Sequence, residues 1–170
     1  AGNGMIDLNW LKINAPDDGS VQIIDWTSAL AGIGLWGPNS RLTLEKLCDD
    51  DDVSNEAFPF FSIKRISISN IPCVAVRISY IGELGWEIYT PTEYGLTLWD
   101  ELREVSREFN MICSGAGAFE SLRLEKGYRS LGSDIHTNTN PYESGLGFTV
   151  KLKKDIDFIG KEALSKIKEQ

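Results

Sequence analysis

Tyr80-Ile81-Gly82-Glu83-Leu84-Gly85-Trp86-Glu87 lies between two runs of strand-like sequence, and its reading decides the fold. Upstream, Pro72 to Tyr80 alternates Cys73, Ala75 and Arg77 against Val74, Val76 and Ile78, the period of two expected of a strand with unlike faces. Downstream, Trp86 to Tyr89 continues the sheet. Gly82 and Gly85 allow positive φ on either side of Glu83, so the backbone can bend sharply and present that carboxylate at the sheet end. Two strands joined in this way run antiparallel.

Working outward, Ser62 to Ser69 alternates less perfectly and reads as a further strand, with Asn70-Ile71-Pro72 as the hairpin connection. Nearer the N-terminus, Ile6 to Ile13 suits a short helix closed before Ala15-Pro16, and Asp17-Asp18-Gly19-Ser20 is a turn. Val21 to Trp26 and Ala29 to Trp36 read as two strands, or as one bent strand interrupted near Thr27-Ser28. Gly37-Pro38 stops them and starts a helix that places Leu44 and Leu47 on one face. On the C-terminal side, Leu98, Leu102, Val105 and Phe109 give the stripe of a helix between Glu93 and Phe109. Met111 to Cys113 reads as a last short strand. Ala116 to Lys126 is a second helix, ended by Gly127 in a left-handed position, with Phe119 and Leu122 as its core face and Glu120 and Arg123 able to pair across one turn. The expectation is an α+β fold: an antiparallel sheet with helices packed on one face.

Composition narrows the function classes. A chain of 170 residues with 42% hydrophobic and 25% charged residues has the make-up of an ordinary globular protein with a sizeable core. A formal charge of −8, with its basic residues scattered, disfavours a nucleic-acid partner. There is no apolar run long enough to span a bilayer, so no membrane partner is expected. Cys48, Cys73 and Cys113 are far apart and odd in number, which fits neither a disulfide framework nor a zinc ribbon and suggests a reducing compartment such as the cytoplasm. His136 is the single histidine and sits in a polar loop, so no metal is expected. The acidic run Asp49 to Asp52 reads as a solvated loop. The glycines sit in hairpin turns, not between a strand and a helix start, so there is no flavin or nicotinamide fingerprint here.

On spacing alone, a Gly-Glu-x-Gly turn is more often only a turn. The longer pattern adds to it. Tyr80 to Glu87, then Ser121-Leu122-Arg123-Leu124-Glu125-Lys126-Gly127-Tyr128-Arg129, Pro141-Tyr142-Glu143-Ser144-Gly145-Leu146-Gly147-Phe148 and Asp157-Phe158-Ile159-Gly160-Lys161-Glu162-Ala163-Leu164 together resemble the aminomethyltransferase family, the T-protein of the glycine cleavage system. The resemblance is closest to the branch fused to dimethylglycine and sarcosine dehydrogenases. Asp7 to Trp10, Ala15 to Ser20 and Gly37-Pro38-Asn39-Ser40-Arg41 also look like that branch.

The resemblance implies the central part of the T-protein folate-binding fold and tetrahydrofolate as cofactor, accepting a one-carbon unit from an aminomethyl or iminium donor. It matches Glu83 to the pterin-binding glutamate and Tyr80 to an aromatic of the same motif. A carboxylate accepts the adjacent amino and ring N–H donors of a pterin as a bidentate pair. Tyr80 and Trp86 would supply an aromatic wall. The family's catalytic aspartate lies upstream of the matched region, so no catalytic residue is assigned, and Phe119 stands where glycine-cleavage members carry arginine. The expected organisation is a folate-binding domain over residues 1–160 and, over 161–170, a helix leading toward a C-terminal barrel. The chain is expected to be a piece of a longer enzyme, inactive alone, with FAD confined to another domain of the parent. Its expected partners are folate, a methylated amine and those other domains, and its expected location is the cytoplasm, or the mitochondrial matrix in a eukaryote. A non-catalytic relative resembling the regulatory subunit of pyruvate dehydrogenase phosphatase is the alternative.

Overall fold

The computed structural model describes residues 4–48 and 50–169. Two compact units divide the chain, Ala1–Gly115 and Ala116–Gln170. In the first, α1 (Gly4–Asn14) precedes β1 (Leu30–Trp36), α2 (Ser40–Leu47), β2 (Ile63–Ile68), β3 (Ile71–Val76), β4 (Gly85–Pro91) and α3 (Gly95–Ser106). The four strands form one antiparallel sheet in the order β1-β4-β3-β2.

Alternation sets the two faces of this sheet. Leu35, Ile66, Ile68, Ile71, Cys73, Ala75, Trp86 and Ile88 point to one side and are buried there with Leu44 and Leu47 of α2 and Leu98 and Leu102 of α3. Fully burying such a side chain is worth about 1.5–3 kcal/mol, so the core draws most of its stability from this one face. The helices that pack on the sheet therefore lie on one side, as an antiparallel sheet with a single core requires.

Several local expectations change. The β2–β3 hairpin turns at Ser69-Asn70, one step earlier than Asn70-Ile71-Pro72, because both residues adopt left-handed φ (47° and 64°), the geometry that matches strand twist in a two-residue loop. Ser69 is held there: its N–H donates to the Leu47 carbonyl at 3.0 Å and its hydroxyl to Glu101 at 2.8 Å. β3 ends at Val76, not Tyr80. Val21 to Trp26 forms no strand, since Asp25 accepts the Thr27 N–H at 2.9 Å and turns the chain before it can pair. Met111 to Cys113 is likewise no strand; the Met111 N–H folds back to Ser106 at 3.1 Å. Asp49 lies outside the described residues. The rest of the acidic run is more ordered than a solvated loop, with Asp51 accepting the Ser67 N–H and Asp52 the Ser54 N–H, each at 2.8 Å.

The second unit contains α4 (Ala116–Glu125), loops and α5 (Lys161–Lys168). Gly127 adopts φ 76° just beyond α4. Phe119 and Leu122 are only half-buried, and the fully buried residue of α4 is Arg123, at 1% exposure. Its guanidinium donates to Glu120, to Asp134 and to the Tyr128 carbonyl, while Asp134 also accepts the Ser130 N–H at 2.7 Å. This unit is thus organised round a buried cation with two carboxylate partners, an arrangement in which removing one partner is costly because charge is left uncompensated.

The Ser130 N–H and then the Arg123 guanidinium hold the Asp134 carboxyl below its ordinary value of 3.8. A depressed carboxyl contributes stability that is present above its unfolded pKa and lost as pH falls through the folded one. Asp134→Asn is expected to lower the Tm at pH 7 and to flatten the acid limb of the stability profile below about pH 4. Thermal melts from pH 3 to 7 of both proteins check this; parallel acid limbs would contradict it.

Candidate functional site

The turn between β3 and β4 is fixed at both ends. The Trp36 indole N–H donates to the Ile78 carbonyl at 3.2 Å, and the Leu84 carbonyl accepts from the Gly37 N–H at 2.8 Å and the Ser40 hydroxyl at 3.2 Å. Within the turn the Ile81 N–H donates to the Ser79 hydroxyl at 3.3 Å. Gly82 has φ 77°, where a side chain would be strained. At Gly85 the constraint is steric: a Cβ would run into the Leu35 carbonyl and the Trp36 backbone. β1 and β4 approach closely at that point because position 85 lacks a side chain.

Glu83 is the one exposed residue between Ser79 and Trp86. Tyr80 is half-buried, and Leu84 packs against the core. The turn therefore sets an exposed carboxylate on a fixed backbone frame, three residues after half-buried Tyr80. Trp86 is placed differently from the expected wall. Its side chain is 0% exposed and points into the core, so it makes no surface for a ligand. Phe58 meets it edge-on with centroids 5.9 Å apart, and Arg41 and Arg77 lie over its ring at 5.2 and 5.8 Å. Trp86 anchors β4 in the core directly after the turn. Register explains the difference: Trp86 pairs opposite Leu35, on the core face.

The sheet face turned away from α2 and α3 carries a separate groove of about 790 Å³, lined among others by Trp26, Leu30, Arg65, Pro72, Val74 and Tyr89. None of Tyr80, Glu83 and Trp86 lines it. Tyr89 donates to Glu87 at 2.6 Å, and that bond with burial pushes its phenol up to about 12. A phenol so held stays neutral at working pH. The groove's lining is mostly apolar, with Asp51, Arg65, Ser67 and Asn70 among its polar members. Among the described residues, no group of three or more His, Cys, Asp or Glu side chains could hold a metal ion. His136 is exposed.

Arg41 and Arg77 are residues that motif reading passed over. The signal was present for Arg77, since alternation put it on the same face as Cys73 and Ala75, where a charge is out of place. Nothing in the sequence places Arg41 beside it.

A single antiparallel sheet with one helical layer makes the first unit an α+β domain, with the glycine-flanked Glu83 turn at the end of its sheet. Residues 1–154 match the GCVT N-terminal domain model, and the chain belongs to that family. It is 41% identical over 169 residues to human "Dimethylglycine dehydrogenase, mitochondrial", covering 99% of this chain and 19% of that protein. It is 37% identical over 164 residues to the "Aminomethyltransferase" of Halothermothrix orenii, covering 96% of this chain and 44% of that protein. Human "Sarcosine dehydrogenase, mitochondrial" is 36% identical over 166 residues, at 96% and 18% coverage. The chain thus spans less than half the length of each of these relatives. Among solved structures, the heterotetrameric sarcosine oxidase from Corynebacterium sp. U-96 aligns with a TM-score of 0.49 and 23% identity over 58% of this chain and 49% of that one.

Gly85→Ala is expected to separate β1 from β4 at Leu35 and to cost roughly 2 kcal/mol or more, the upper part of the range for overpacking. Denaturant titration checks this, and an unchanged midpoint would show that the close approach carries no constraint.

Proposed function

We propose that this chain is the tetrahydrofolate-binding, one-carbon-transfer portion of a dimethylglycine or sarcosine dehydrogenase-like protein or an aminomethyltransferase. The observation that supports it most is Glu83: an exposed carboxylate, on a turn tied down at Ile78 and Leu84, in a chain of the GCVT family. A pterin presents an amino group and a ring N–H side by side, and a carboxylate on a fixed backbone can accept both, which orients the ring as well as binding it. Half-buried Tyr80 offers an apolar flank to the same ligand. Trp86 acts indirectly by keeping the turn in place.

When bound, tetrahydrofolate supplies the amine that takes up a methylene unit from an iminium or aminomethyl donor. What this chain adds is orientation: a ring fixed at its pterin end has its reactive amine held in one place, and such positioning carries much of the catalysis in a bimolecular transfer. Flavin chemistry and the methylated-amine site belong, in this reading, to other parts of a longer polypeptide. No helix among the described residues is long and apolar enough to cross a membrane. The relatives named as mitochondrial point to the matrix for a eukaryotic parent, and the cytoplasm otherwise.

Because Glu83 is exposed, Glu83→Gln should fold as the parent does. It is expected to weaken folinic acid binding on the order of tenfold or more, since a charge-assisted pair of hydrogen bonds is reduced to one acceptor of neutral type. Calorimetric titration of both proteins checks this; equal affinities would remove Glu83 as the pterin anchor.

A further inference from the structure

In a chain of net charge −8, Arg41, Lys64 and Arg77 gather round the loop from Asp52 to Phe58. Arg41 donates to the Val53 carbonyl and Arg77 to the Phe58 carbonyl. Both also donate to one atom, the Asn55 side-chain oxygen, at 2.8 and 2.6 Å. Lys64 donates to the Asp52 carbonyl at 3.0 Å and lies 5.5 Å from the Phe58 ring centroid. Among the described residues, the ion pairs include none of these three cations. The Asp52 carboxylate feels the charges of Lys64 and Arg41, yet its nearest bond is to the Ser54 N–H.

Two guanidinium groups sharing a single neutral oxygen is an uncompensated arrangement, because like charges at this spacing repel and Asn55 offers no charge in return. Burial first, and then Arg41, lowers the Arg77 pKa. Donors are also in surplus. The Arg77 Nε and the Trp86 indole nitrogen are buried without a hydrogen-bond partner among the described residues, and each guanidinium lies over the Trp86 ring. Unmatched buried donors of this kind are uncommon and call for an acceptor. Both arginines are only half-buried and Asn55 is exposed, so the pair is reached from solvent past the Asn55 amide.

We propose that the Arg41–Arg77 pair, gated by Asn55, is an anion seat that binds the carboxylate or phosphate group of a small molecule. Rigid forked donors suit an oxyanion, whose several oxygens engage both guanidinium groups at once, where the Asn55 amide supplies one oxygen. Lys64 adds to the local field. The seat uses neither Glu83 nor Tyr80, so it stands independently of the folate reading.

Inorganic phosphate and glutarate, titrated separately at constant ionic strength into the chain, test the seat and separate the two sources of the oxyanion. The readout is the Arg77 Nε–H and Trp86 indole N–H resonances. Saturable shifts of these signals with either probe are expected, weakened on the order of tenfold in Arg41→Gln, the loss expected for a charge-assisted bond. Asn55→Asp places a carboxylate between the arginines; it should weaken the probe at least as much while raising the Tm. No saturable shift with either probe, or saturation unchanged in both variants, would overturn the proposal.

Discussion

The packing of Trp86 is the constraint on which the first unit depends. Its indole sits at the start of β4, fully buried, against Phe58 from the loop before β2 and beneath Arg41 of α2 and Arg77 just beyond β3. One side chain therefore ties together a helix, a loop and two strands that are distant in sequence. An aromatic of this size buried without exposure contributes several kcal/mol, and truncating such a residue to alanine costs about 3–5 kcal/mol. With β4 held in this way, the residues that precede it have little freedom.

That restriction gives Glu83 its character. The turn from Tyr80 to Leu84 is not regular structure, yet the Ile78 carbonyl just before it and the Leu84 carbonyl at its end are claimed by Trp36, and by Gly37 and Ser40, respectively. The close approach at Gly85 fixes where β4 starts relative to β1. A backbone on such a frame loses little entropy if a ligand engages it, so the ordering cost falls on the Glu83 side chain alone. The second unit reaches order by other means, with Arg123 and its two carboxylates in place of a hydrophobic centre.

The sheet was legible because its strands alternate, and alternation is forced wherever one face is buried. Cys73, Ala75 and Ile88 could be assigned to the core on that ground. Val21 to Trp26 misled because β-rich composition describes what a strand tolerates, whereas the Asp25 carboxylate takes the Thr27 N–H and turns the chain there. Trp86 misled differently: its neighbourhood in sequence to Glu83 suggested a shared wall, but successive strand residues point to opposite faces and register sent the indole inward. The Glu120–Arg123 pair was visible from spacing, while Asp134 as the second partner and the burial of Arg123 depend on a loop whose path no periodicity encodes. The meeting of Arg41 and Arg77 on Asn55 is likewise a tertiary fact. The folate reading came from the order of motifs along the chain, not from the turn alone.

Hydrogen exchange across the chain, with and without saturating folinic acid, tests the central claim most directly. The account predicts slowed exchange confined chiefly to residues 79–85, where the turn carries Glu83 and Tyr80, with β3 and β4 already protected in the free chain. Protection elsewhere with none in the turn would contradict it.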